Sequence, residues 1–375
     1  MHLVLARLPD APTGPKGLSL LLCPKLLPDG RRNAVECERI EEKMGLHGSP
    51  TCVMRFDGAT GWLVGEPGRG LGAMFVMMNA ARLHVALQGI GLLEAAWQKA
   101  NAYAQERRQM RAPLGNARSG EADFIAQHPA MRRILDTQRA WIDAGRVLAY
   151  QTALELDIQK HHPDAARRHA AQCWCALVTP VMKAAFTQQA FHGASECLQV
   201  FGGHGYVRDS GIEQIVRDAR VTMIYEGTNE IQAIDLLVRK VLADGGASLR
   251  ILADVLGARL DRRDPDDERV LDRLAVLLEL TGRLITVTGQ GRERAYWVAE
   301  DYLRALGLVL LDWAWRQIEK ASPEAGTRWS VPTQALRRWV LPELAMRFQI
   351  IEDAMATWAE SDPINSKLDE TTQGG

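Results

Sequence analysis

From Leu71 to Gln109 the sequence LGAMFVMMNAARLHVALQGIGLLEAAWQKANAYAQERRQ runs without a proline, and its apolar residues recur at helical spacing. A run of this length predicts one long amphipathic helix. Pro113 and the Gly/Asn/Ser/Gly stretch to residue 120 break it, and a second helix is predicted from Pro129 through Lys160. Ile134, Thr137, Trp141, Gly145, Leu148 and Thr152 mark one stripe of that helix. After the turn HHPDAA a third helix is expected from Asp164 to Val200, and a shorter one from Asn229 to Ala243, stopping at Gly245 and Gly246. Long helices joined by short turns become antiparallel neighbours, so residues 67–246 read as a four-helix-type bundle.

The segment ahead of the bundle has a different texture. HLVLARL, GLSLLLCPK and CVMRFDGATGWLVG are short apolar runs punctuated by turn residues, which predicts β structure over residues 1–66. The first of these runs begins at residue 2, so the chain opens in mid-sheet. Beyond the bundle, the polar DRRDPDDER precedes three helical stretches, roughly 264–290, 293–320 and 333–359, the last two rich in Trp and Leu. Residues 247–375 are expected to form an additional helical domain, and the tail beyond Asp362 to be disordered. The expected fold class is mainly α, with a remnant of a small β domain, a bundle and a C-terminal helical extension.

Composition excludes several function classes. With 375 residues, a 47% hydrophobic fraction and a formal charge of −1, this is the profile of a soluble globular protein with more than one packed unit. No overall field draws it to nucleic acid or anionic lipid, and local basic clusters such as Arg337 and Arg338 read as solvated helix faces. The six cysteines, at 23, 37, 52, 173, 175 and 197, make neither a disulfide framework nor a CxxC zinc pair, so no metal site and a reducing, cytoplasmic setting are expected. The start carries no signal-peptide pattern, and no later segment offers about twenty uninterrupted apolar residues of the kind that span a membrane.

Four stretches carry candidate chemistry. QVFGGHGY sets Gly202, Gly203 and Gly205 at a helix end, where they serve either a tight turn or a backbone cradle for phosphate. In YAQERRQMRAPLG, Arg107 is either a solvated helix end or a bidentate partner for a pyrophosphate. IVRDARV reads as a short charged turn leading to VTMIYEGTNEIQ, in which Glu226 stands between apolar residues and a glycine. Its carboxylate either swings out to water or is half-desolvated by Met223, Ile224 and Tyr225, in which case its pKa rises and suits it to take a proton from carbon. Thr228 is expected to cap the next helix.

In this order and spacing the segments resemble the acyl-CoA dehydrogenases, a family of FAD-dependent flavoproteins. QVFGGHGY, RDARVTMIYEGTNEIQ and RLHVALQGIGLLEAAWQKANAYAQER each look like family motifs, and Arg82 and Arg107 stand 107 − 82 = 25 positions apart as in the family pattern. The Trp-rich extension and AQHPAMRRIL look like a larger subgroup of the family. The resemblance implies that Glu226 is the base removing the α-proton of an acyl-CoA thioester while the β-hydride passes to the flavin, giving a trans-2-enoyl-CoA. It also implies that FAD is held by Arg107, by Gln199, Gly202 and Gly203 across a dimer interface, and by Thr228 and Glu230 after the base. A homodimer or homotetramer and an electron-transfer flavoprotein or similar acceptor are the implied partners. Met110 and Arg111 stand where the family usually has Phe and Gly. The family's N-terminal helical domain and first β strands have no counterpart here, so a noncatalytic fragment that keeps only the helical assembly surface is the alternative. A flavoprotein of this fold that binds DNA would need a more basic chain.

Overall fold

The computed structural model describes residues 1–115, 118, 120–289, 291, 293–323, 326 and 328–360. The polar tail, expected to be disordered, lies outside the described residues. Compactness divides the chain into two units, Met1–His84 and the residues from Val85 onward.

In the first unit, β1 (His2–Arg7), β2 (Leu18–Cys23) and β5 (Trp62–Val64) form an antiparallel sheet in the order β1-β2-β5. Leu5 pairs with Leu20 and Leu20 with Val64, so the short apolar runs HLVLARL and GLSLLLCPK meet across the strands. A second antiparallel pair joins β3 (Val35–Ile40) to β4 (Cys52–Phe56). Strand β3 escapes the sequence reading because five of its six residues are exposed and its VECERI carries three charges instead of an apolar face. Buried Asn33 pins the loops: its Nδ2 donates to the carbonyls of Pro24 and Thr60, both at 2.8 Å, and its Oδ1 accepts from the Thr60 N–H at 2.9 Å.

The expected long helices are present as α1 (Gly70–Glu106), α2 (Pro129–His161) and α3 (Ala165–Phe201). Asp164 caps α3 by accepting from the Ala166 N–H at 2.9 Å, and Pro129 occupies the first turn of α2, where its missing N–H costs nothing. Close helix approach depends on small residues: a Cβ on Gly89 of α1 would fall 2.8 Å from the Phe186 carbonyl of α3, and one on Gly193 of α3 would fall 2.4 Å from Leu93. Ala96, Ala100 and Ala104, one turn apart on α1, pack with Ala194, Cys197 and Val200 of α3 in one buried cluster. Burial pushes the Cys197 thiol up to about 12, which keeps it a neutral packing group.

The segment expected to be a charged turn is instead a helix, α4 (Ile212–Arg220). It starts after Gly211 in a left-handed conformation, buries Ile212 and Ala219, and carries an Arg217–Glu213 ion pair at 2.6 Å one turn apart on its outer side. Helix α5 (Asn229–Leu236) runs on through a π turn, Leu237–Val241, toward Gly245 and Gly246, both at positive φ. A helix not anticipated, α6 (Ala247–Gly257), follows directly. Then come α7 (Pro265–Thr288), α8 (Arg294–Ala321), α9 (Ser330–Ala335) with a π turn at Leu336–Val340, and α10 (Glu343–Glu360), so the last predicted helix is two.

Helix α8 is sealed into the bundle by its tryptophans. Trp313 meets Trp174 of α3 edge to face at 5.6 Å and donates to the Leu256 carbonyl at 3.1 Å, while Trp315 donates to the Ala140 carbonyl of α2 at 2.9 Å. The helices beyond residue 246 thus share a core with α2 and α3. Helix α1 also contains an 18-residue window of mean hydropathy 1.3, 29% buried, so by length and composition it meets the criterion for a bilayer span that no uninterrupted apolar run in the sequence meets. A soluble core helix passes the same test.

The shared core makes a measurable claim. Trp315 is 1% exposed, so Trp315→Ala should lower the unfolding free energy by about 3–5 kcal/mol and shift the urea transition of the whole helical unit. A separate early transition of the C-terminal helices, with the bundle transition unmoved, would contradict a common core.

Candidate active site

Four of the residues singled out in the sequence converge on one cleft of about 720 Å³ at the end of the bundle: Arg107, Gln199, Gly202 and Gly203. Helix α1 delivers Arg107 one residue past its last turn, where the Arg107 N–H still bonds to the Tyr103 carbonyl at 2.9 Å. Helix α3 delivers Gln199 in its final turn. Arg107, Gln199, Gly202 and Gly203 are all exposed, so the cleft wall offers a guanidinium, a primary amide and bare backbone. Beneath them Tyr103 stacks on Phe201 at 4.4 Å and 20°, and its hydroxyl lies 3.4 Å from His204 Nδ1. Tyr103, His128 and His204 belong to the cleft but were not anticipated, since nothing in their local sequence distinguishes them from packing residues.

The three glycines have three different reasons. Gly202 ends α3 at φ 58° and ψ −139°, a backbone conformation essentially confined to glycine. Gly205 is a packing glycine, because a Cβ there would lie 2.6 Å from the Leu198 carbonyl. Gly203 has neither constraint: its φ is not positive and an added Cβ would meet nothing within 4 Å. What the absent side chain at Gly203 leaves is an open approach to backbone, which suits an anionic group laid against N–H donors.

The loop after Arg107 is tied back on itself. The Gln109 N–H donates to the Asp123 carbonyl at 3.0 Å, and the Asp123 N–H to the Met110 carbonyl at 2.9 Å. Met110 is exposed and left-handed, φ 57°. Arg111 turns away from the cleft, pairing with the buried Asp123 carboxylate at 3.3 Å and donating to the carbonyls of Arg118 and Glu121. These two departures from the family pattern therefore shape and hold the loop.

Glu226, Thr228 and Glu230 are not in this cleft. They form a second station beside the middle of α3, where Lys183 donates from Nζ to the Gly227 carbonyl at 2.8 Å. From Lys183 to Gly202 is 202 − 183 = 19 residues, about 28 Å along a helix axis. Glu226 is half-buried and left-handed, φ 54°, followed by Gly227 at φ 85°, a strain the residue spacing could not reveal. Its N–H has no acceptor among the described residues, whereas its carbonyl accepts from Gln232 Nε2 at 3.2 Å. Tyr225 reaches the other way, its hydroxyl donating to Gln88 of α1, and burial raises the pKa of that phenol. Thr228 caps α5 as expected, accepting from the Ile231 N–H at 3.4 Å. Its hydroxyl also bonds the Glu230 carboxylate, which together with Glu230's own N–H holds that carboxyl below its ordinary range.

Two outcomes test these assignments. Gly203→Ala should stay within about 0.5 kcal/mol of the parent in chemical denaturation, whereas Gly205→Ala should cost about 1–3 kcal/mol; equal losses would remove the distinction between the two glycines. Because the Glu230 pKa is lowered on folding, its contribution is present above the ordinary value of 4.5 and is lost as pH falls through the folded value. Glu230→Gln should therefore cost about 0.5 kcal/mol at pH 7, a small figure because the group is exposed, and the cost should shrink as pH falls below 4.5. A pH-independent difference in thermal midpoint would sink this.

Comparisons with known proteins bear on the same region. A family model described as acyl-CoA dehydrogenase, C-terminal domain, matches residues 68–241. The chain is 41% identical over 325 residues to 3-methylmercaptopropionyl-CoA dehydrogenase of Ruegeria pomeroyi, covering 84% of this chain and 55% of that protein. Among solved structures it resembles Caenorhabditis elegans ACDH-11 in complex with C11-CoA, with a TM-score of 0.75 and 23% identity, over 90% of this chain and 55% of the other. It also resembles an acyl-CoA dehydrogenase complexed with FAD from Bacillus anthracis, with a TM-score of 0.73 and 17% identity, over 96% and 64% of the two chains. At these identities the structural likeness concerns the fold. The chain spans about half the length of the Ruegeria protein, and with the family's C-terminal domain at its centre it belongs to the acyl-CoA dehydrogenase family.

Proposed function

We propose that this protein acts in the FAD-dependent α,β-dehydrogenation of an acyl-CoA thioester to a trans-2-enoyl-CoA, with Glu226 as the base. The observation that carries this reading is the double offer made by one residue. From a left-handed turn Glu226 presents a half-buried carboxylate and an unspent backbone N–H. An α-proton next to a thioester is weakly acidic until the carbonyl oxygen is stabilised, and an N–H donor at that oxygen with a carboxylate at the α-carbon supplies both needs. The Ruegeria relative is named a dehydrogenase of an acyl-CoA, and the two structural neighbours are described with C11-CoA and with FAD.

The first cleft fits the diphosphate end of the cofactor. A free guanidinium edge, a primary amide and an unobstructed glycine backbone are the donors such a group needs, and Arg107, Gln199, Gly202 and Gly203 would hold it. Thr228 and Glu230, beside the base, would meet its other end. FAD, when bound, supplies the hydride acceptor at the β-carbon. The separation of about 28 Å between the two stations along α3 supports a homodimer or homotetramer in which the cleft of one protomer serves the flavin whose ring lies at the turn of another. An electron-transfer flavoprotein or similar acceptor would reoxidise the enzyme. The six free thiols fit a cytoplasmic location.

The test is spectroscopic and kinetic. Purified protein should carry a flavin spectrum and pass electrons from an acyl-CoA to a dye acceptor. Glu226→Gln should cut turnover by about 10²–10⁴-fold with flavin content unchanged. Full turnover in that variant would remove the base assignment, and a colourless protein that still dimerises would favour a noncatalytic assembly role.

A further inference from the structure

Lys183 is 0% exposed in a helical stretch, LVTPVMKAAFT, that is otherwise apolar or hydroxylic. An ammonium taken out of water must find acceptors in fixed positions, and those positions are informative. Lys183 Nζ donates to the Gly227 carbonyl at 2.8 Å and to Asn229 Oδ1 at 3.0 Å. Asn229, itself buried, returns to the same helix by donating from Nδ2 to the Ala184 carbonyl at 3.2 Å. From the far side, fully buried Gln232 donates from Nε2 to the carbonyls of Glu226 and Gly227, both at 3.2 Å. The Gly227 carbonyl thus has two donors, and the peptide plane between Gly227 and Thr228 has no freedom to rotate.

We propose that Lys183 is a positioning residue for Glu226, clamping the left-handed Glu226–Gly227 turn so that the carboxylate and the free N–H of residue 226 keep one orientation. The proposal rests on the reading of Glu226 as the base. An isolated turn with two successive residues at positive φ relaxes readily, and here it is held from α3 by Lys183 and from α5 by Gln232, with Tyr225 fixed to Gln88 of α1 just upstream. Neither Lys183 nor Gln232 touches the reacting atoms in this scheme. Their effect on rate is geometric, since a shift of about 1 Å in a catalytic group costs on the order of 10²-fold.

The experiment uses full-length holoprotein and Lys183→Met, which keeps side-chain bulk and removes the donor. Hydrogen exchange should accelerate at least about tenfold for peptide amides over residues 224–231 and stay unchanged over residues 199–207, with flavin content equal to the parent. Turnover should fall about 10²-fold with the acyl-CoA KM within about threefold. Unchanged exchange at the turn, exchange raised equally throughout the bundle, or unchanged turnover would each overturn the positioning role. Where Lys183→Met does not accumulate as folded protein, Gln232→Met reads the same clamp, and the same local loosening with loss of turnover is required of it. Full activity in Glu226→Gln together with a loosened turn in Lys183→Met would instead overturn the base assignment and leave the clamp standing.

Discussion

The burial of α3 is the constraint on which the rest of the helical unit depends. Along its middle third every residue from Leu177 to Thr187 is buried, including Lys183, so the helix cannot shift or rotate without exposing a core surface or breaking the Lys183 hydrogen bonds. Gly89 and Gly193 bring α1 and α3 to a distance at which one added methyl would collide, and Trp313 closes α3 against α8 from the other side. A rigid rod of this kind is a ruler. It holds the Glu226 turn near its centre and the Gly202–Gly203 turn at its end, and their separation decides which groups one protomer can bring to one ligand.

The long helices were legible because their signal is local and redundant. Leu71 to Gln109 is a long, largely apolar run without a proline, and Asp164, Pro129 and Gly245 mark ends where a side-chain acceptor, a missing N–H or a positive φ is needed. Helix α4 was read as a charged turn because nine residues with four charges give too few apolar positions to establish a period; its helical state comes from burying Ile212 and Ala219 against the bundle. Strand β3 failed for the opposite reason, since its stability lies in pairing with β4 and not in an apolar face. In the candidate site, Arg107, Gln199, Gly202 and Gly203 are legible through motifs, whereas Lys183 is visible in the sequence only as a lone charge in an apolar run. Its meaning requires knowing that Gly227, 44 residues away, lies over it.

The C-terminal helices alter how the bundle is supported. Trp315 bonds to a carbonyl in the middle of α2, and Arg304 of α8 lies 4.8 Å from the ring of Trp141 while pairing with Glu343 of α10 at 2.8 Å. Burial alone would raise the Glu343 pKa, but the Arg304 and Arg347 guanidiniums outweigh it and hold the carboxylate charged. The extension therefore fastens to α2 through buried apolar contact, the Trp315 hydrogen bond and the Arg304–Trp141 ring contact, while the Arg304–Glu343 pair ties α8 to α10, and α2 in turn supplies Ala130 and Met131 to the cleft that Arg107 lines.

A glutamate in a left-handed turn is an expensive choice for a carboxylate that only has to be near a cleft, because an extended or helical residue reaches as far at no strain. The left-handed form does something those cannot. Here the Glu226 carbonyl is satisfied by Gln232 inside the protein while the N–H has no acceptor among the described residues. In a helix that N–H would bond to the preceding turn, and in a strand it would point to a neighbour. On the proposed function, a donor for the thioester oxygen and a base for the α-proton are then carried by a single residue, and their relative position is fixed by one backbone conformation. Strain at Glu226 is the physical consequence of asking one residue for two groups, and the buried hydrogen bonds of Lys183 and Gln232 are what hold that strain in place.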